Sequence, residues 1–187
     1  LINSTFLPEK QLVNYIKQLR LNEALLLGEE LIAARLSDVQ FKSLSEDKDA
    51  LQSLKGIDLL QEKGILFSRI TRPYHLFIHN GAEIKSDFNL LTAGKNSHPI
   101  SNTNSISGKF PVFAEEGTSI EHSIINTVEG PAYFGKNSIV MEGSLIRGAF
   151  ALGESAVVKM GAKIYGPTTI GPRCVVGGEI KNSVLLA

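Results

Sequence analysis

Two histidines, His75 and His79, stand four residues apart, a spacing that lets one helix face present two imidazoles to zinc. No third ligand stands near them, so the reading is exposed or interfacial side chains and no metal site. The other two histidines, His98 and His122, also lie in the first two thirds of the chain, and none occurs over residues 123–187. A histidine general base for acyl or proton transfer is therefore not available there. The lone cysteine, Cys174, falls in a slot that otherwise holds small residues and reads as a buried structural thiol. Gly135, Gly153, Gly171 and Gly177 are spaced unlike the G-x-G-x-x-G phosphate cradle. They read as bends. No residue is assigned a catalytic role.

The background excludes several classes. The 187 residues carry 19 basic and 19 acidic side chains and are 43% hydrophobic. A balanced charge argues against a nucleic-acid partner and against a polybasic membrane tether. No apolar run approaches the roughly 20 residues that span a bilayer. One cysteine permits no internal disulfide, so a reducing, cytoplasmic setting is expected. The chain begins at Leu1, its only methionines are Met141 and Met160, and it closes on an apolar run. It is expected to be a fragment of a longer protein.

Two grammars divide the chain. Residues 1–64 hold 18 of the 38 charged residues but three glycines, whereas 117–187 hold 11 of the 17 glycines. In the first part, Leu1-Ile2-Asn3 reads as a strand end and Pro8 opens a helix with an apolar stripe at Leu12, Ile16 and Leu19. Apolar runs on either side of Gly28 predict a hairpin. Ser43 and Glu46 suggest a capping box for a helix to about Leu60. Ile65-Leu66-Phe67 is a strand candidate. Thr71-Arg72-Pro73 introduces a helical arm from Arg72 to Leu91, with Asn80-Gly81 a candidate break. Residues 92–111, rich in Asn, Ser, Gly and Thr, read as a linker.

The second part repeats. Every sixth residue from Phe134 to Val176 is large and apolar: Phe134, Val140, Ile146, Leu152, Val158, Ile164, Ile170 and Val176. By chance such a run arises on the order of once in several thousand. Two residues before each stands a small side chain, with Phe150 the exception. This is a hexapeptide repeat, in which each unit is a short strand plus a bend and three units close one triangular coil. Coils stack about 4.8 Å apart, so every strand pairs with the coils above and below. Phe150 is expected to fill a local widening. Ile120, Ile124 and Val128 fit an imperfect first coil loosely, and the phase slips after Val176. The expected organisation is a partial α/β region with a helical arm over 1–91, the linker over 92–111, and a β-helix over 112–187 truncated at its C-terminal end.

The hexapeptide pattern resembles the acyltransferase superfamily of left-handed β-helix proteins, and that resemblance implies the left hand. The two-part layout, with Ile70-Thr71-Arg72-Pro73-Tyr74, Asp87-Phe88 and Pro99-Ile100-Ser101, is similar to sugar-1-phosphate nucleotidyltransferases related to the bifunctional N-acetylglucosamine-1-phosphate uridyltransferase / glucosamine-1-phosphate acetyltransferase. The fold class expected is mainly β, a left-handed parallel β-helix preceded by a partial nucleotidyltransferase-like region. The resemblance implies a sugar-nucleotide-pathway transferase acting on a sugar phosphate or nucleotide sugar. For the longer protein it also implies acetyl-CoA and Mg²⁺ as cofactors and a homotrimer. In the family, basic residues on outward faces bind sugar phosphate or coenzyme A phosphate, which singles out Arg147, Lys159, Lys163 and Lys181. Tyr165 could stack on a sugar or meet a second subunit.

The chain departs from the family in two places. It lacks the glycine-rich phosphate loop, and Ser4 or Thr5 stands where a metal-binding aspartate would be, a poorer Mg²⁺ ligand. The fragment is thus expected to be inactive alone. The alternative is a non-catalytic trimeric β-helix assembly or regulatory module. A γ-type carbonic anhydrase shares the left-handed β-helix but holds zinc on coil histidines, which residues 123–187 lack. A serine or sugar O-acetyltransferase is argued against by the arm.

Overall fold

The computed structural model describes residues 1–43, 54–59 and 67–186 and divides into two compact units, Leu1–Pro73 and Tyr74–Ala187. Among the described residues no helix is long and apolar enough to cross a membrane.

In the first unit, α1 (Lys10–Gln18) is followed by β1 (Glu23–Leu27), β2 (Glu30–Arg35), α2 (Asp38–Ser43) and β3 (Lys55–Asp58). The strands form one sheet in the order β2-β1-β3, with β1 antiparallel to β2 and parallel to β3. The hairpin turns at Gly28, which adopts φ +62° and donates its N–H to Asp58 Oδ1 at 3.1 Å. Leu12 of α1 is buried with Leu25, Ile32 and Leu19, so the stripe along α1 faces the core. Near the start of the chain Ile2 bridges Ala33 and Phe6 bridges Arg69, both antiparallel.

One expectation needs correction here. The helix expected from Ser43 does not run through to Leu60, because Lys55–Asp58 is a strand of the sheet. A capping box is formed at Ser37. Ser37 Oγ accepts the Gln40 N–H at 3.3 Å, and Gln40 Oε1 accepts the Ser37 N–H at 2.9 Å, opening α2. Glu46, Ile65 and Leu66, on which the capping box at Ser43 and the strand candidate rest, lie outside the described residues.

The second unit opens with α3 (His75–Thr92) and continues as fourteen short strands. Five make a first sheet: β4 (Ser105–Ser107), β7 (Ile124–Asn126), β10 (Leu145–Arg147), β13 (Lys163–Tyr165) and β16 (Glu179–Lys181). Five make a second: β5 (Val112–Ala114), β8 (Ala132–Phe134), β11 (Phe150–Leu152), β14 (Thr168–Ile170) and β17 (Val184–Leu185). The third sheet has β6 (Ser119–Ile120), β9 (Ile139–Val140), β12 (Val157–Val158) and β15 (Val175–Val176). All pairings are parallel and join successive coils, giving a left-handed parallel β-helix. The stretch read as a linker contributes β4 to the first coil.

All eight large positions from Phe134 to Val176 are buried, forming columns up the prism. Phe150 is flanked in its column by the small Ala132 and Thr168, and its ring tilts against Phe134 at 5.7 Å. That is the widening its size requires. The small slots also do polar work: Ser144 Oγ donates to the carbonyls of Met141 (2.8 Å) and Lys159 (3.2 Å), joining two coils at a corner.

The irregular coil departs from expectation. Ile124 and Val128 face outward, 49% and 42% exposed, and Ile125 fills the core instead. Ile125 stands opposite Ile146, twenty-one residues on, whereas Ile146 stands opposite Ile164, eighteen on. The longer bend shifts the phase, and in a strand a one-residue shift reverses the face. After Val176 the phase does slip: Ile180 stands opposite Ile164 and Leu185 opposite Ile170.

The helix α3 runs unbroken through Asn80-Gly81. Asn80, Ile84 and Phe88 are buried at i, i+4 and i+8 against the second sheet. Asn80 Nδ2 donates to the carbonyls of Pro167 (3.2 Å) and Ser183 (3.5 Å), and Thr169 Oγ1 donates to Asn80 Oδ1 at 2.6 Å. A Cβ on Gly81 would stand 3.2 Å from Pro167, so glycine is what allows the close approach. The pair that resembles a helix breaker is the attachment point of α3 to two coils.

Candidate functional site

In a short strand, alternate side chains face in and out. On the first sheet Ile125, Ile146 and Ile164 turn inward, and the residues flanking them turn outward. Ile124, Leu145 and Lys163 then form one outward row, in register across β7, β10 and β13. Asn126 and Arg147 are opposite each other in the other row, and Tyr165 occupies the same strand position in β13. Together these rows line a groove of about 220 Å³.

Its chemistry is amphipathic. Ile124 and Leu145 supply an exposed apolar floor, and Tyr165 an exposed ring. Arg147 and Lys163 supply positive charge, and none of the lining side chains is acidic. Glu129, in the bend after β7, accepts a hydrogen bond from Arg147 Nε at 3.1 Å. Both side chains are about half exposed, so this pair is weak and exchanges readily for another anion. A phosphate with an apolar or ring-shaped body suits such a surface.

The structure thus gathers two of the four basic residues singled out above. Lys181 lies on the same sheet but opposite Tyr165 in the next coil, outside the groove. Lys159 lies at a corner after β12, where its stem fills the space beside Gly177. Asn126 and the Ile124–Leu145 floor were not foreseen. The signal for them was present: they are the outward neighbours of core residues aligned across coils, but the longer bend before Ile146 obscures that alignment.

Elsewhere, the Thr5 N–H and hydroxyl both donate to Asn3 Oδ1, at 3.1 and 2.8 Å. That hydroxyl is committed to a local turn rather than aimed at a ligand. Among the described residues no three His, Cys, Asp or Glu side chains converge as a metal site would require. The rings of His75 and His79 meet edge to face with centroids 5.8 Å apart, and Tyr74 packs on His75. Cys174 is half-buried rather than buried, because β15 is the outermost strand of its sheet. Its thiol faces the Leu186 carbonyl at 3.6 Å.

Residues 1–96 match the family model described as sugar nucleotidyl transferase. Neither a curated protein nor a solved structure matches the chain.

Proposed function

Because this chain belongs to the sugar nucleotidyl transferase family, we propose that it is part of a sugar-nucleotide-pathway transferase whose coils hold a sugar phosphate or nucleotide sugar in the first-sheet groove. One observation carries the choice of site: Arg147 and Lys163 flank an apolar floor in a groove with no acidic lining. The guanidinium takes a phosphate through paired N–H donors, and the ammonium adds a second charge. Ile124, Leu145 and Tyr165 cover the body of the ligand. The bifunctional uridyltransferase/acetyltransferase is the relative this reading favours, with acetyl-CoA a candidate second ligand through its phosphates.

Mg²⁺ does not fit the described residues, since Thr5 is engaged by Asn3 and no three His, Cys, Asp or Glu side chains converge among them. No histidine faces the groove. The chain alone is read as a binding part, inactive by itself, and its lone cysteine favours a reducing, cytoplasmic setting.

Isothermal titration with a nucleoside-diphosphate sugar and with a sugar 1-phosphate tests this. Arg147→Ala and Lys163→Ala are each expected to weaken binding about tenfold, and Lys159→Ala to leave it unchanged. No binding, or equal losses at all three positions, refutes the site.

A second reading, a trimeric assembly module, is favoured by a different observation. The outward faces of the first and third sheets expose Ile124, Leu145, Ile139 and Val175. A symmetric oligomer would bury them. Light scattering that finds a monomer at micromolar concentration removes this reading.

A further inference from the structure

A second groove, of about 280 Å³, runs between α3 and the second sheet. Its walls are largely apolar, with Ile84, Phe88 and Leu91 on the helix facing Ala151 and Pro172 on the coils. Two carboxylates, Glu83 and Asp87, line it from successive turns of α3. Tyr133 of β8 adds an aromatic wall, its ring stacked on Phe113 at 6.0 Å. No Lys, Arg or His lines this groove. Asn80 also reaches it, but its amide is already engaged by Pro167, Ser183 and Thr169.

We propose that this groove is a binding site for an aliphatic cation, a primary ammonium or guanidinium carried on a short apolar chain. The apolar walls remove the chain from water. The charged head meets the Asp87 carboxylate and the face of the tyrosine ring. An anion would meet like charge, and a neutral alkyl group would strip water from Asp87 and give nothing back. Burial already holds the Asp87 carboxyl above its ordinary range, the condition that a cation relieves. The same chemistry is offered by a free amine and by a lysine side chain of another polypeptide. The inference does not depend on the transferase reading, since it uses neither Arg147 nor Lys163.

The test is calorimetric titration of the chain with n-hexylammonium, n-hexanol and n-hexanoate. One ammonium is expected to bind per chain, with the alcohol and the carboxylate at least about tenfold weaker. Asp87→Asn, at the groove's rim on α3, is expected to weaken the ammonium about tenfold or more, with the circular dichroism spectrum unchanged. Arg147→Ala is expected to change nothing. An Nα-acetyl-lysine amide that binds within a few-fold of hexylammonium assigns the cation to a polypeptide side chain, and one that fails where hexylammonium binds assigns it to a small amine. Equal binding of alcohol and ammonium, an unaffected Asp87→Asn protein, or no binding by either amine overturns the proposal.

Discussion

The first and second sheets of the β-helix are built by the same repeat, yet one is bare and the other is covered by α3. Their inward rows are alike: Ile146 and Ile164 on one, Leu152 and Ile170 on the other, all buried. Their outward rows differ. The bare sheet presents Arg147, Lys163 and Tyr165 to solvent. The covered sheet presents Phe113, Tyr133 and Thr169, and α3 engages Phe113 and Thr169. The inward side chains therefore specify the prism, and the outward ones specify what each face meets. Two grooves of opposite character result, basic on the bare face and acidic on the covered one.

The largest effects are expected where the sheets are the same. Ile146→Ala and Leu152→Ala should each destabilise the second unit by about 2–5 kcal/mol, since each opens a cavity in a closed core. Urea denaturation followed by circular dichroism measures both. A cost confined to the covered sheet would show that α3, rather than the repeat, holds the prism together.

Next comes the attachment of the helix. Asn80→Leu removes three hydrogen bonds and strands the half-buried Thr169 hydroxyl, a loss of about 1–3 kcal/mol. Amide exchange in α3 should quicken accordingly while the coils stay protected. On the bare face, Asn126→Leu should change stability by less than about 0.5 kcal/mol. Equal effects at both positions would end the distinction between the faces.

Smaller still is the pair on the basic groove. Glu129→Gln removes an ion pair that is about half exposed, and stability should move by no more than about 0.5 kcal/mol. Phosphate affinity should hold or rise, because Arg147 no longer has a competing carboxylate. A fall in affinity would mean that Glu129 orients the guanidinium.

The smallest effect is titrational. The folded-state pKa of Asp87 is raised by burial. The folded chain therefore binds this proton more tightly than the unfolded chain, and stability declines as pH rises through the range just above the ordinary aspartate value. Asp87→Asn should flatten that part of the stability–pH curve. An unchanged slope would show that the groove does not desolvate the carboxyl.

Much of this molecule is legible from residue order. The six-residue columns from Phe134 to Val176, the hairpin at Gly28 and the stripe on α1 all follow from periodicity and turn chemistry, which act over a few residues. The misreadings share a cause. Ile124 and Val128 turned outward because one bend is longer, a property of the coil rather than of its strands. Lys55–Asp58 became a strand because β1 offered it hydrogen bonds.

Spacing by itself determined that 134–176 would coil, because a period of six leaves only one inward set large enough to fill a prism. It also marked Arg147 and Lys163 as outward cations. Which of the four basic residues share a groove was decided by stacking, since positions eighteen or more residues apart become neighbours only when coils align. Asn80-Gly81 shows the same division. Locally the pair disfavours a helix, but the carbonyls of Pro167 and Ser183, about a hundred residues on, give the amide partners that water would otherwise supply.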